Sequence, residues 1–69
     1  MTGQEWIDAF AAQLGVDAPS PEAFDALLAL AGTAAHASER IAAPIACYLV
    51  GLAGATLSDA AEAAAQVSA

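Results

Sequence analysis

The sequence predicts a small all-α domain, orthogonal or bundle-like, of three main helices and a weaker C-terminal fourth. Apolar residues make up 59% of its 69 residues, and many of them are alanine, the best helix former. Large apolar residues recur three and four positions apart, and no strand-like alternation of useful length occurs. Helix start and stop signals place the helices at about 3–14, 21–40, 44–54 and 58–67, within one domain, 1–69.

The first helix has clear signals at both ends. Thr2 and Glu5 have the spacing of a capping box, and Gly15 stands where a left-handed residue ends a helix. Large apolar side chains share one helical face: Ile7, Phe10 and Leu14. Trp6 lies four residues before Phe10, and we interpret it as a core aromatic, with a partner-binding hot spot as the alternative.

The second helix begins with Ser20 as N-cap and Pro21 as its first residue. Alanine-rich flanks predict that it continues through Gly32 and Thr33 to about Arg40. Two interpretations of Gly32 stay open, since a glycine here permits either a kink or a close helix crossing.

We expect the third helix to begin at Pro44, because a proline suits the first helical position and disfavours the helical conformation of the residue before it. The helix is apolar nearly all round, which is typical of a central helix or of an interface, and we interpret it as the core helix. Gly51 and Gly54 are candidate close-packing positions. A cap at Ser58 or Asp59 opens the last helix, which has little to bury.

Charge limits the classes of partner. Eight acidic residues against one arginine and no lysine give a net charge of −7, so nucleic acids and anionic membranes are poor partners. The longest apolar run, 41–57, is interrupted by proline and glycine and is short for a membrane span. We expect a cytoplasmic protein that binds neither nucleic acid nor membrane.

Catalytic and metal-binding patterns are missing from the sequence. It has no glycine-rich phosphate loop, no nucleophile elbow and no phosphopantetheine serine in the context of an acyl carrier protein. Cys47 is the single cysteine and lies within an apolar helix, where a thiol is usually inert. We therefore predict a non-enzymatic protein with no catalytic residue, cofactor or metal.

One polar cluster is a candidate binding surface. His36, Glu39 and Arg40 have the spacing of one face on a continuous helix, and Tyr48 follows shortly after. The functional interpretation is a small site for an anionic or carbonyl ligand. The structural interpretation is local electrostatics, in which the two basic side chains offset the dipole at the end of the second helix.

A set of short motifs runs from Trp6 to about Ala55. They are the runs Trp6–Phe10 and Leu27–Ala31 and, most specifically, Ala35-His36, Glu39-Arg40, Ala42-Ala43-Pro44 and Leu49-Val50-Gly51. In these motifs the chain resembles a small actinobacterial domain of unknown function. That domain occurs alone or as a C-terminal appendage to a molybdenum cofactor guanylyltransferase, and its stand-alone forms are sometimes called molybdopterin-guanine dinucleotide biosynthesis proteins. Ile41 stands where proline is more usual. The resemblance implies an association with molybdenum cofactor synthesis or insertion, but no catalytic residue.

Small size and high apolar content together predict the function. A chain of this length has a marginal core, and alanine buries little area, so apolar surface is left over after folding. We predict an accessory or protein-interaction module that uses an apolar face bordering the third helix, with His36, Glu39 and Arg40 as its polar edge. The alternatives are an anion- or pterin-binding protein that uses the same three residues, and a homodimer through Gly51 and Gly54.

Overall fold

The structure is a computed structural model that describes residues 1–68, and it contains four α-helices. They are α1 (Gly3–Leu14), α2 (Pro21–Ala37), α3 (Ala42–Ala53) and α4 (Leu57–Ser68). No strand occurs among these 68 residues, so the predicted all-α class is confirmed. The predicted domain also included Ala69, which lies outside the described residues.

Helix α1 has the bounds and caps that the sequence predicts. The Glu5 amide donates to Thr2 Oγ1 over 3.1 Å, and the Thr2 amide donates to Glu5 Oε1 over 2.7 Å. At the other end Gly15 is left-handed (φ 76°), and the Val16 amide donates to the Ala11 carbonyl over 3.0 Å. These bonds satisfy backbone groups that a helix end leaves unpaired.

Helix α2 begins as predicted, with the Ala23 amide donating to Ser20 Oγ over 3.1 Å, but it ends at Ala37 rather than near Arg40. Ser38 leaves the helical conformation (φ −141°, ψ −95°), and its hydroxyl donates to the Ala34 carbonyl over 2.8 Å. A serine that bonds back to the preceding turn satisfies a terminal carbonyl and allows the backbone to turn away.

Gly32 interrupts nothing in α2, which is continuous from Pro21 to Ala37. A Cβ added at Gly32 would meet no atom within 4 Å, apart from the helix's own backbone. The interpretation of Gly32 as a close helix crossing is therefore wrong within this chain.

Helix α3 begins two residues before the predicted start, so Pro44 is its third residue rather than its first. The amides of Ala42 and Ala43 donate to the carbonyls of Glu39 and Arg40 over 3.0 and 3.2 Å, and this turn opens the helix. Pro44 still lies within the first turn, where the missing N–H removes no intrahelical bond.

Helix α4 begins at Leu57, and its cap is Thr56 rather than Ser58 or Asp59. The Asp59 amide donates to Thr56 Oγ1 over 3.1 Å. Thr56 fulfils the same chemical requirement as the predicted caps, a short side-chain oxygen just before the first turn. Helix α4 can begin this soon after α3 because Gly54 ends α3 in a left-handed conformation (φ 66°).

Helix α2 is the centre of the fold, because it packs against both α3 and α4, whereas α1 packs extensively against none of the three. The buried apolar residues come from α1, α2 and α4: Ala11, Leu30 and Ala60. No residue of α3 is buried. The interpretation of α3 as the core helix is therefore wrong. An interface, which the same all-round apolar pattern also allowed, is the interpretation that remains.

The fold leaves an unusual amount of surface open to water. The accessible surface is 5155 Å², whereas a compact monomer of this mass exposes about 3,950 Å². The radius of gyration is 12.4 Å, against about 11 Å for a compact domain of this length. The excess of about 1,200 Å² is more than one partner contributes to a standard protein interface, about 800 Å².

The capping box makes α1 sensitive to acid. The Thr2 backbone N–H, and after it a side-chain bond from Thr2, hold the pKa of Glu5 below its ordinary value. A lowered folded-state pKa stabilises the helix above the unfolded-state pKa, and this contribution is lost as the pH falls through the folded-state pKa. We expect Thr2→Ala to raise the pKa of Glu5 in an NMR titration and Thr2→Ser to leave it unchanged. An unshifted pKa in Thr2→Ala would show that the Thr2 side chain makes no contribution beyond that of its backbone N–H.

The contrast between two leucines of α2 tests whether this helix holds the core. Leu30 is 7% exposed and Leu28 is 60% exposed. We expect Leu30→Ala to lower the free energy of unfolding by about 2–4 kcal/mol, a large share of the roughly 3–5 kcal/mol that a core of this size supplies. Leu28→Ala, the control, should lower it by less than about 1 kcal/mol. Urea denaturation followed by circular dichroism measures both, and equal losses would place the core elsewhere.

Candidate interaction surface

The outward face of α3 carries a row of large apolar side chains, which we call the α3 seam: Ile41, Ile45, Tyr48 and Leu52. Each of them is 60–72% exposed. Ile41 is the N-cap of α3 and has helical dihedral angles (φ −65°, ψ −19°), so it continues the helical row. The spacings of four, three and four residues are those of the contact row in a two-stranded coiled coil.

The inward face of α3 carries small side chains. The residues of α3 that are partly buried are Ala42, Ala43, Ala46, Cys47 and Val50. A helix held mainly by its own chain turns its largest apolar side chains toward the core, since burial stabilises in proportion to area. Helix α3 does the reverse, so the features of its outward face are those of a binding surface.

Charge is absent from this surface. Within its bounds α3 contains no acidic or basic residue, whereas α1, α2 and α4 each carry carboxylates. The acidic residues of those three helices are Glu5 and Asp8, Glu22 and Asp25, and Asp59 and Glu62. In a chain of net charge −7, α3 is therefore the helix that another molecule can approach with the least electrostatic cost.

An open apolar groove of about 580 Å³ borders the seam between α2, α3 and α4. Ile45, Leu49 and Val67 are its large side chains, and alanines form much of the rest of its lining. The two hydroxyls that line it donate to their own helix: Thr33 Oγ1 to the Ala29 carbonyl over 3.1 Å, and Ser38 Oγ to Ala34. No charged side chain lines the groove in the described part of the chain, so it suits apolar groups.

The predicted polar cluster is not a helical face. His36 lies in the last turn of α2, but Glu39 and Arg40 lie in the connection to α3, because α2 ends at Ala37. All three residues are exposed, and none of them lines the groove. Tyr48, the fourth predicted surface residue, is exposed on the seam.

The positions of the two basic residues, His36 and Arg40, bear on the two interpretations of the cluster, local electrostatics and a ligand site. His36 occupies the α2 C-terminus, as the dipole argument expects. Between residues 1 and 68, the Arg40 side chain forms no hydrogen bond or ion pair with another side chain or carbonyl, so it is available to an external group. Arg40 directly precedes Ile41 and therefore marks one end of the seam.

A second apolar area lies on α1. Trp6 and Phe10 stack with ring centroids 5.0 Å apart, yet they are 53% and 46% exposed. The interpretation of Trp6 as a core aromatic is therefore wrong. Helix α1 also carries Glu5 and Asp8, whereas α3 carries no charged residue.

The two candidate glycines differ in kind. Gly54 is the left-handed cap of α3, so its turn explains the glycine without any close contact. Gly51 lies inside α3, and a Cβ there would meet no atom within 4 Å, its own helix backbone aside. Nothing inside the chain packs closely on either position, so any close packing at Gly51 involves another molecule.

Two further features of residues 1–68 concern metals and membranes. In this range no three His, Cys, Asp or Glu side chains are grouped closely enough to hold a metal ion. Within the same limits, no helix has the length and apolarity needed to cross a bilayer.

Sequence reasoning identified the apolar character of α3 but missed the seam. The signal was present as the spacing of positions 41, 45, 48 and 52. It was hidden because the small residues on the opposite face are apolar too, so the helix looks uniform when only hydrophobicity is counted.

Comparison with known proteins gives a family but no activity. A family model described as "Domain of unknown function (DUF6457)" matches residues 1–69, the full length of the chain. No curated protein and no solved structure matches the chain.

Alanine substitutions at the two glycines should have opposite effects on stability. Gly51→Ala places a Cβ in open space and replaces a poor helix former, so we expect the free energy of unfolding to rise by about 0.5–1 kcal/mol. Gly54→Ala forces a side chain into a left-handed conformation, so we expect a loss of about 1 kcal/mol. Urea denaturation of dilute protein measures both, and a destabilised Gly51→Ala would mean that the glycine is needed within the folded chain.

Proposed function

Because the chain belongs to the DUF6457 family, whose description names no activity, we propose its function from its surface. The protein is a non-enzymatic protein-interaction module, and its binding surface is the α3 seam with the adjoining groove. The polar residues His36, Glu39 and Arg40 form one edge of that surface.

The observation that carries the proposal is the outward orientation of the large side chains of α3. Full burial of a Leu, Ile or similar side chain stabilises a complex by about 1.5–3 kcal/mol. The four seam residues are each more than half exposed, so covering them contributes roughly 4–8 kcal/mol before the cost of association. That contribution is as large as the stability expected of the isolated domain, about 3–5 kcal/mol.

The polar edge supplies selectivity rather than most of the affinity. Charges at the rim of an interface mainly change the rate of association and the choice of partner. Arg40 is the single basic residue besides His36, and its exposed guanidinium lies next to the first seam residue. A partner with a carboxylate or free carbonyls at that end of the seam is therefore favoured over one with a cation there.

The identity of the partner is proposed from the sequence resemblance. A domain that also occurs fused to a molybdenum cofactor guanylyltransferase has a natural partner among the proteins that synthesise or insert this cofactor. We keep this link as the first candidate to test, since the apolar seam itself is compatible with many protein surfaces.

The alternative of an anion or pterin site has less support. It needs His36, Glu39 and Arg40 to converge on a pocket, whereas the three side chains are exposed and none of them lines the groove. The groove beside them is lined by carbon and by hydroxyls that already donate to backbone carbonyls. Such a lining favours apolar groups over phosphate or pterin.

A matched pair of charge substitutions tests the proposal. Ile45 and Leu28 are both 60% exposed, on α3 and α2 respectively, so Ile45→Glu and Leu28→Glu introduce the same charge at equal exposure. We expect tagged wild type and Leu28→Glu to retain a partner from crosslinked host lysate and Ile45→Glu to retain at least tenfold less, because a buried unpaired carboxylate opposes association. Quantitative mass spectrometry measures retention, and circular dichroism checks that all three proteins fold.

Two results would count against parts of this proposal. Equal retention by Ile45→Glu and Leu28→Glu would mean that α3 is not the binding surface. If the partner that Ile45→Glu fails to retain has no role in molybdenum cofactor metabolism, the result would support a protein-interaction function. It would also remove the proposed link to that cofactor.

A further inference from the structure

We propose that the molecule bound at the α3 seam is a second copy of this chain, packed antiparallel across a twofold axis. The inference rests on the proposed function, in which the α3 seam is a binding surface, and assigns a second copy to that surface in place of a protein of molybdenum cofactor metabolism. Three features carry it: the register of the seam, the charges around it, and the area that the isolated chain leaves open.

The register of the seam is self-complementary. If two α3 helices run antiparallel with the axis between positions 46 and 47, Ile41 faces the partner's Leu52 and Ile45 faces the partner's Tyr48. Twofold symmetry repeats both pairs, so one register covers all four seam residues on both copies. Antiparallel coiled coils pair their two kinds of contact position in this alternating way, which places large side chains into facing holes.

Charge favours the same arrangement. Two chains of net charge −7 repel each other, and α3 is the helix along which they meet without opposing carboxylates. The antiparallel register places Arg40 beside the partner's Ala53, at the C-terminal end of α3. A helix end of that kind carries partial negative charge, so the exposed guanidinium has a favourable neighbour there, although Glu39, beside Arg40 in the chain, offsets part of the gain. In a parallel pair the two Arg40 side chains would instead face each other.

The chain as a whole leaves more area open than one side of a standard interface takes. The chain exposes about 1,200 Å² more than a compact monomer of its mass, and a standard interface takes about 800 Å² from each partner. Leu49, 54% exposed, and the groove of about 580 Å³ adjoin the seam, so a second α3 covers more than the four seam residues. A seam of only three helical turns nevertheless makes a weak dimer, with a Kd expected on the order of micromolar.

The apolar area of α1, where Trp6 and Phe10 stack, is the other candidate for self-association. A contact there would leave the four large side chains of the α3 seam, each 60–72% exposed, open to water. The absence of charged residues is also a property of α3 alone among the four helices.

Sedimentation equilibrium on the full chain tests the proposal, with concentrations from about 1 µM to about 1 mM chosen to bracket the expected Kd. We expect wild type and Leu28→Glu to dimerise with similar Kd values. Leu52→Glu should weaken dimerisation at least tenfold, because its carboxylate faces the apolar Ile41 of the partner. The double variant Ile41→Lys/Leu52→Glu should dimerise more tightly than Leu52→Glu alone but more weakly than wild type, since the antiparallel register pairs each introduced lysine with an introduced glutamate while the apolar contact is lost.

The double variant also decides the orientation. In a parallel pair it would place lysine against lysine and glutamate against glutamate, so a dimer weakened further by the second substitution overturns the antiparallel register. A dimer that Leu52→Glu leaves intact overturns the seam as the contact. A chain that stays monomeric at every concentration overturns self-association, and the proposed function survives that result only if Ile45→Glu still abolishes capture of a different protein. Circular dichroism of each variant confirms that it is folded.

Discussion

The packing of α2 against α3 through small side chains is the constraint on which the rest of this structure depends. Alanines and Cys47 form most of the inward face of α3, and they let two helix backbones lie close while burying little area per residue. Leu30 is the one large side chain among the buried residues of the described chain. The core is therefore held together by good helix formers and small contacts rather than by bulk. The large side chains of α3 are left on the opposite face, where only another molecule can bury them.

Folding and binding are thermodynamically coupled in such a molecule. A partner that binds only the folded chain raises its apparent stability with concentration. The seam is more than half exposed along three turns, so covering it adds a contribution similar in size to that of the core. Loosely packed α1 gains nothing directly from a contact on α3, since it packs extensively against neither α2 nor α3. We expect α1 to respond to its own caps, and the unit of α2, α3 and α4 to respond to the partner.

Local chemistry determined what the sequence could predict. The bounds of α1 followed from Thr2, Glu5 and Gly15, whose effects act within one helical turn. The turn between α2 and α3 did not follow, because Ser38 and Pro44 each permit more than one helix boundary and tertiary packing selects among them. The sequence likewise did not predict which side of α3 packs against the rest of the chain. A helix that is apolar all round gives no sign of which side meets its own chain, and that choice decides where the candidate surface lies.

The early end of α2 links this error in the prediction to the candidate surface. Had α2 continued to Arg40, the guanidinium would have shared a helix with His36, away from the start of α3. Because the chain turns at Ser38, Arg40 instead lies in the turn that opens α3, where the Ala43 amide donates to its carbonyl, and so at the end of the α3 seam. The one arginine of an acidic chain thus stands beside the one helix of the four that carries no charge. An apolar seam gives affinity without direction, and the charged residues Glu39 and Arg40 at one end supply the direction, since they distinguish the two orientations in which a second helix can lie against it.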